Sequence, residues 1–182
     1  MFEERRARKE ANRAFDSGEG VTRYRMQQKV FAIGDDFWID DEAGDHVYKV
    51  DAKVLRARRT YHLEDTGGHR VATVQGKPLH IKESMAIEDG EGHHVATVKK
   101  AIVSPVRDRW RITRENGEDL TVQGNVLDHE YTVELDGRKV AEVSKRWFRL
   151  RDTYGVDIGP GEDTPTLLAA TVAIDAMAHP GD

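Results

Sequence analysis

The sequence predicts a mainly β protein, in which a closed antiparallel β-barrel surrounds a buried, hydrophobic C-terminal helix and a short N-terminal helix lies outside. Three observations support this prediction. Asp and Gly residues typical of turns recur through the middle of the chain, and the segments beside them alternate between apolar and polar residues. The most apolar run, "TPTLLAATVAIDAMAH", stands near the end of an otherwise polar chain.

The first segment is predicted to form a short helix over residues 3–15. Arg6 and Glu10 are four residues apart and offer a charge pair on one helix face. The segment has too little apolar content for strong membrane insertion, and it lacks the apolar core of a signal peptide. "DSGEG" then provides a flexible link. We therefore expect a helical arm and linker over residues 1–23 and a barrel domain over residues 24–182.

The middle of the chain is predicted to consist of β-hairpins. "DEAGDHVYKV", "DTGGHRVATV" and "DGEGHHVATV" share an Asp, a Gly three residues later, and two valines, and looser copies surround Gly117 and Gly137. An Asp that opens a turn and a Gly three residues on fit a type I turn closed by a left-handed residue. The flanking segments alternate, so that Trp110 and Ile112 oppose Arg109 and Arg111.

The C-terminal apolar run is predicted to form a buried helix over about residues 165–178. Thr164 or Asp163 can cap it, and Pro165 suits its first position. Apolar side chains surround the whole circumference, which is typical of a buried helix. From Thr164 to Ala178 the run is 15 residues long, whereas about 20 are needed to cross a bilayer. A helix that binds a partner or inserts into lipid is the alternative, and Asp175 needs a partner if it is enclosed.

A chain with this many amphipathic hairpins must either close into a barrel or stack as two sheets, because open strand edges promote aggregation. An all-apolar helix can fill a closed sheet, which favours the barrel. Ala72, Ala96 and Ala141 occupy equivalent positions in the repeats, where small side chains would let the helix lie close. In the alternative interpretation, these alanines fill the core of a two-sheet sandwich.

Composition limits the classes of function. Charged residues make up 34% of the 182 residues, and the net charge is −5. This charge gives no global attraction for nucleic acid, so no nucleic-acid partner is expected, and anionic lipid would need a local basic patch. The absence of Cys excludes disulfides, thiolate catalysis and Cys-based zinc sites, and it suits a cytoplasmic protein.

A search for catalytic and metal-binding motifs finds none, so no catalytic residue, metal ligand or cofactor is predicted. "DDEAGD" and "EDGEGHH" do not fit a calcium loop, and we expect hairpin turns there. His93 and His94 are adjacent and would point to opposite faces of a strand, which is unfavourable for a shared metal ion. The serines lack a recognisable triad context, although triads are spatial. "IGPGED" is interpreted as the connector into the C-terminal helix.

Basic residues are the main candidates for a binding surface. In "KRWFRLR" a strand would place Trp147, Arg149 and Arg151 on one face. Such a cationic surface could bind phosphate groups, because guanidinium groups form paired hydrogen bonds to oxygens. The alternative is a solvated barrel face that nearby acids balance. The predicted ligand-binding residues are Arg107, Arg109, Arg111, Lys145, Arg149 and Arg151.

Several blocks of the sequence resemble the LURP-one-related family over about residues 24–179. The blocks are "YRMQQKVFAIGDDFWIDDEAGDHVYKVDAKVL", "ATVKKAIVSPVRDRWRI", "VQGNVLDHEYTV", "VAEVSKRWF", "DTYGVDI" and "LLAATVAIDAM". The resemblance implies a tubby C-terminal-like fold, which is a closed barrel around a central hydrophobic helix. The same fold group includes phosphoinositide-binding tubby domains and phospholipid scramblases, and plant relatives are linked to pathogen defence. The resemblance carries no catalytic motif.

The leading functional hypothesis is a non-enzymatic binding or scaffold protein. Its partner would be an anionic lipid headgroup or another protein, and it would be cytoplasmic or peripheral at a membrane. Two alternatives remain. One is an enzyme with a pocket at the barrel mouth, and the other is a scramblase-like activity suggested by the fold group alone.

Overall fold

A computed structural model describes residues 1–27, 36–55, 58–76, 84–104, 107–149 and 152–179, without the side chains of 53–55, 58, 102–104, 107 and 108. The helices are α1 Phe2–Asp16 and α2 Thr164–Ala178. The strands are β1 Thr22–Gln27, β2 Asp36–Asp41, β3 His46–Leu55, β4 Arg58–Asp65, β5 Arg70–Gly76, β6 Ser84–Asp89, β7 His94–Ser104, β8 Arg107–Arg114, β9 Leu120–Asn125, β10 Glu130–Leu135, β11 Arg138–Ser144 and β12 Thr153–Ile158.

The strands form one closed barrel. Each strand pairs antiparallel with its neighbours in the chain, and β1 also pairs with β12, which joins the two ends of the sheet. The pairing of β1 with β12 runs from Thr22 opposite Ile158 to Gln27 opposite Thr153. The predicted closed antiparallel barrel is therefore confirmed, and the two-sheet sandwich was wrong.

Three hairpin turns have the geometry that the repeat predicts. The closing glycines Gly44, Gly68 and Gly92 have φ values of +92°, +80° and +87°, a region that Gly adopts without steric cost. The opening carboxylates of Asp41, Asp65 and Asp89 each accept the backbone N–H four residues later at 2.9 Å. The backbone N–H groups of His93 and Glu91 donate hydrogen bonds to Asp89 and lower its pKa, although burial acts in the opposite direction. These acids therefore hold the turns.

Helix α2 fills the barrel. It begins after Asp163, whose carboxylate accepts the N–H of Thr166 at 3.2 Å, and Pro165 stands in its first turn. Every residue from Leu167 to Met177 is buried. Thr171 satisfies its hydroxyl by donating to the carbonyl of Leu167 at 3.0 Å. The predicted buried helix is confirmed.

Small side chains let α2 lie close to one part of the barrel wall. The helix approaches β5, β6 and β7 more closely than the other strands. Ala72 on β5 and Ala96 on β7 are buried against it, as predicted. Ala141 is also buried, but it lies on β11, away from that closest approach. The helix is therefore off-centre within the barrel.

Helix α1 packs against the outer wall at β11. Asn12 binds the backbone there twice, because its amide donates to the carbonyl of Gly137 at 3.0 Å and accepts the N–H of Lys139 at 2.9 Å. Lys139 also donates to Asp16 at 2.7 Å, and Phe15 is buried. The N-terminal helix is therefore held on the barrel by polar contacts and one aromatic anchor.

A buried acid fastens the seam between β1 and β2. Arg25 on β1 donates to Asp40 on β2, and His46 on β3 binds the other oxygen of that carboxylate. Burial acts to raise the pKa of Asp40, but the hydrogen bonds from Arg25 and His46 outweigh it and hold the pKa below its ordinary value. Asp40 is therefore ionised throughout the neutral range.

We expect Asp40→Asn to destabilise the protein at neutral pH by about 1–3 kcal/mol, the cost of abandoned partners of a buried group. Because the folded pKa is depressed, the wild-type contribution is present above the unfolded pKa near 3.9 and is lost as pH falls through the folded pKa. Urea unfolding between about pH 2 and pH 7 should show a smaller loss in acid for the variant than for the wild type.

Asp45→Asn, at an exposed carboxylate of the next turn, is the matched control and should leave both stability and its pH dependence unchanged. If the free energy of unfolding of D40N changed with pH in parallel with that of the wild type, the role of Asp40 between β1 and β2 would be contradicted.

Candidate functional site

The predicted basic residues lie in two separate places. Arg109 and Arg111 are exposed on β8, opposite the buried Trp110 and Ile112, as the alternation predicts. Arg107 is the first residue of β8, and its side chain lies outside the described residues. Strands β9 and β10 separate β8 from β11, so the residues that follow β11 lie about 15 Å away around the barrel.

Arg109, Arg111 and the neighbouring Lys99 form a basic patch on the outer wall, called here the β7–β8 patch. Lys99 on β7 is exposed and lies directly opposite Arg111. Among the described side chains Arg111 pairs with one acid, Asp119, at 3.6 Å, and both side chains are exposed. Within the described part of the chain, Lys99 and Arg109 have no ion pair. The patch therefore carries an excess of positive charge.

The second group does not form the predicted strand. β11 ends at Ser144, and residues 145–149 are irregular. Trp147 and Phe148 both pack against Gly155 on β12, where an added Cβ would lie 2.5 Å from the Trp147 ring and 3.0 Å from the Phe148 ring. The predicted strand, with Trp147 on the same face as Arg149 and Arg151, was wrong: Gly155 has no side chain, so both adjacent rings pack against it.

The remaining members of this group are spread out. Lys145 is partly buried and Arg149 is exposed, while Arg151 lies outside the described residues. The structure therefore brings Arg109 together with Arg111, but it does not join them to Lys145 and Arg149 in one surface.

A half-open groove of about 480 Å³ lies between the end of α1 and the barrel wall. Its lining includes Phe15, Asp16, Arg23, Lys139, Glu142, Arg146, Trp147 and Asp157. The guanidinium groups of Arg23 and Arg146 lie 4.2 Å and 5.4 Å from the Trp147 ring. The sequence alone did not predict this groove, because its residues come from two distant parts of the chain, 15–23 and 139–157.

The cations of the groove are paired. Arg23 binds Asp157 through two hydrogen bonds of 2.7 Å and 2.9 Å, and these raise the pKa of Arg23. Burial acts to lower the pKa of Lys139, but its hydrogen bonds to Asp16 and Glu142 raise it. Both shifts move away from neutral pH, which is the opposite of what a general acid or base requires.

A cluster of polar side chains is enclosed where α2 ends. Asp175 is 1% exposed, and it accepts hydrogen bonds from His129 Nε2 at 2.6 Å and from the Tyr154 hydroxyl at 2.5 Å. His179, the residue after α2, places Nδ1 3.6 Å from the same carboxylate, and its Nε2 binds the carbonyl of Leu127 at 3.2 Å. We call His129, Tyr154, Asp175 and His179 the α2-end cluster.

The α2-end cluster holds a negative charge inside the protein. Burial acts to raise the pKa of Asp175, but hydrogen bonds from His129, His179 and Tyr154 outweigh it and lower the pKa. The hydrogen bond to Asp175 raises the pKa of His179 against the effect of burial. Burial, followed by the charge of Asp175, raises the pKa of Tyr154 and of the nearby Tyr131 well above 10. Asp175 is therefore an ionised, buried carboxylate.

The sequence predicted that an enclosed Asp175 needs a partner, but no sequence pattern identified His129 or His179. The interval of four between Asp175 and His179 was the available signal, since residues i and i+4 share a helix face. His129 gave no signal, because it ends a turn with a φ of +54° and is 46 residues from Asp175. His93 and His94, the adjacent pair, make separate contacts with Asp89 and with Glu115 and Thr97.

Comparison with known proteins supports the fold. An X-ray structure of a protein from Arabidopsis thaliana matches with a TM-score of 0.64 and 18% sequence identity, over 87% of this chain and 92% of that one. A search of curated proteins finds no match. Among the described residues, neither helix has the length and apolar character needed to cross a membrane.

The family comparison covers most of the chain. The model of the LURP-one-related family matches residues 22–175, which includes every strand of the barrel and α2 as far as Asp175, and leaves α1 outside. This chain belongs to the LURP-one-related family.

Proposed function

We propose that the chain is a non-enzymatic binding protein whose outer wall recognises anionic lipid headgroups from the cytoplasmic side. The observation that carries this proposal is the β7–β8 patch, where Lys99, Arg109 and Arg111 are exposed together with one weakly paired acid. Guanidinium groups form paired hydrogen bonds to phosphate oxygens, and a basic cluster is attracted to an anionic leaflet despite the net charge of −5.

The filled barrel supports recognition at the outer wall. α2 occupies the interior with eleven buried residues, so a ligand has to bind outside or at a rim. The groove beside α1 is concave, but its described cations are paired with acids and its resolved pKa shifts oppose acid–base catalysis. These features favour a binding role over the enzyme hypothesis. No feature specifically favours scramblase activity.

Vesicle flotation tests the proposal. We expect the protein to float with phosphatidylcholine vesicles that contain phosphatidylserine but not with phosphatidylcholine alone, and salt should weaken the binding. Because each basic residue near the surface contributes about 1 kcal/mol, Arg109→Gln with Arg111→Gln should reduce binding at least tenfold.

Lys145→Gln with Arg149→Gln is the matched control, since it removes the same charge from the other group. If binding to the vesicles did not depend on lipid charge or on salt concentration, the lipid proposal would be contradicted and a protein partner would be favoured. If only the control pair lost binding to the vesicles, the contact surface would be the segment after β11 and not the β7–β8 patch.

A further inference from the structure

Three side chains in the α2-end cluster place metal-binding atoms close to one another. A nitrogen of His129, a carboxylate oxygen of Asp175 and a nitrogen of His179 all lie within 4.8 Å of one another. Asp175 and His179 are one helical turn apart at the end of α2, whereas His129 comes from the turn between β9 and β10. Two segments of the fold thus supply one compact set of two nitrogens and one oxygen.

The contacts around these side chains orient them as metal ligands are oriented. A carbonyl oxygen can only accept, so His179 Nε2 carries the hydrogen in its contact with Leu127, and Nδ1 faces the carboxylate of Asp175. Tyr154 donates to the other carboxylate oxygen and fixes its rotation. Ligating imidazoles and carboxylates in proteins commonly have such outer hydrogen bonds.

The protein groups leave this interior incompletely satisfied. His129 Nδ1 and the Tyr131 hydroxyl are buried and have no hydrogen-bond partner among the described residues. Buried polar atoms without partners are rare in native proteins. His179 Nδ1 lies 3.6 Å from Asp175 Oδ1, close to the separation of about 3.3 Å between two ligands of one zinc ion. The spacing of the donor atoms of His179 and Asp175 therefore suits a bound cation.

The donor atoms select the class of cation. Calcium and magnesium prefer sets made wholly of oxygens, whereas imidazole nitrogens with one carboxylate suit zinc and its first-row neighbours. We propose that His129, Asp175 and His179 bind a divalent first-row transition metal ion that fastens the end of α2 to the turn between β9 and β10.

Binding requires small, specific changes. A neutral His129 that binds through Nε2 carries its hydrogen on Nδ1. Nε2 also separates from Asp175 Oδ1 beyond the present 2.6 Å, since ligands about 2.0–2.1 Å from one zinc ion lie about 3.3 Å apart. His179 has a side chain that is 19% exposed and provides the entrance from solvent. Three protein ligands leave a fourth position for water.

The test uses the full chain, stripped with a chelator and then titrated with Zn²⁺ by calorimetry, with the visible absorption of bound Co²⁺ as a spectroscopic readout. We expect one ion per chain and a higher melting temperature with Zn²⁺. His179→Gln, at the rim, should weaken the affinity at least tenfold, and Asp175→Asn should abolish binding.

The matched control is His93→Gln with His94→Gln, which removes two exposed histidines and should bind Zn²⁺ as the wild type does. His93 lies beside Asp89 and Glu91, and His94 lies beside Glu115. If Asp175→Asn fails to fold, His179→Gln still decides the result. The proposal fails if the wild type binds no stoichiometric ion, if H179Q keeps full affinity, or if the control pair loses binding. Vesicle flotation is a separate assay, so failure of one proposal leaves the other standing.

Discussion

A chain that lacks residues 166–178 is expected to be insoluble, or to form a compact state without a cooperative melt. This deletion removes almost all of α2, whose residues from Leu167 to Met177 are buried within the barrel. The strands would keep their hairpin turns, but their inward apolar side chains would surround an empty space. Hairpins alone are marginally stable, so the barrel depends on this packing.

The expected loss is as large as the stability of an ordinary domain. Burial of one large aliphatic side chain contributes about 1.5–3 kcal/mol, so the five in α2 together contribute about 7–15 kcal/mol. They are Leu167, Leu168, Val172, Ile174 and Met177. A typical domain is stable by about 5–15 kcal/mol in total. Near-ultraviolet circular dichroism, dye binding and calorimetry would measure the loss of fixed packing.

Helix α1 provides the matched control, because it is also 15 residues long but lies outside the barrel. A chain that begins at Val21 loses the contacts of Asn12 and Phe15 and should melt at a lower temperature, yet cooperatively. A soluble, cooperatively melting protein without residues 166–178 would contradict the enclosed-helix fold, whereas collapse of both truncations would make the comparison uninformative about α2.

The sequence was sufficient to predict the barrel, because the relevant signals are local. Gly68, three residues after Asp65, predicted a turn from four neighbouring residues, and the same pattern recurs along the chain. Asp163 and Pro165 predicted the start of α2 in the same way. Closure followed from a physical argument, since a helix apolar on all sides needs an enclosing wall. Local chemistry and burial thus determined most of the architecture.

The candidate sites were harder to predict, because they join residues from distant segments. His129 contacts Asp175 only after the barrel closes, and no local sequence pattern predicts this contact. Trp147 and Phe148 do not alternate as in a strand, because both rings pack against Gly155, which has no side chain. Lys99 joined Arg111 through strand register, which composition does not reveal. Such contacts depend on tertiary structure.

Asp175→Leu is expected to destabilise the protein by about 1–3 kcal/mol for each buried hydrogen-bond donor that it leaves without an acceptor. Leu offers no hydrogen-bond acceptor, so His129 Nε2 and the Tyr154 hydroxyl lose theirs. Urea unfolding with a chelator present measures the effect apart from any metal. Met177→Leu, a volume-conserving change on the same helix, should cost under about 1.5 kcal/mol.

A double-mutant cycle shows whether this loss comes from the cluster or from general packing. Tyr154→Phe removes only the hydroxyl that donates to Asp175, so it should cost about 1–3 kcal/mol in the wild type. In the Asp175→Leu background the acceptor is already gone, and Tyr154→Phe then removes an unsatisfied hydroxyl, which should be neutral or stabilising. Additive effects, or an Asp175→Leu variant as stable as the wild type, would show that the hydrogen bonds to Asp175 do not stabilise the end of α2.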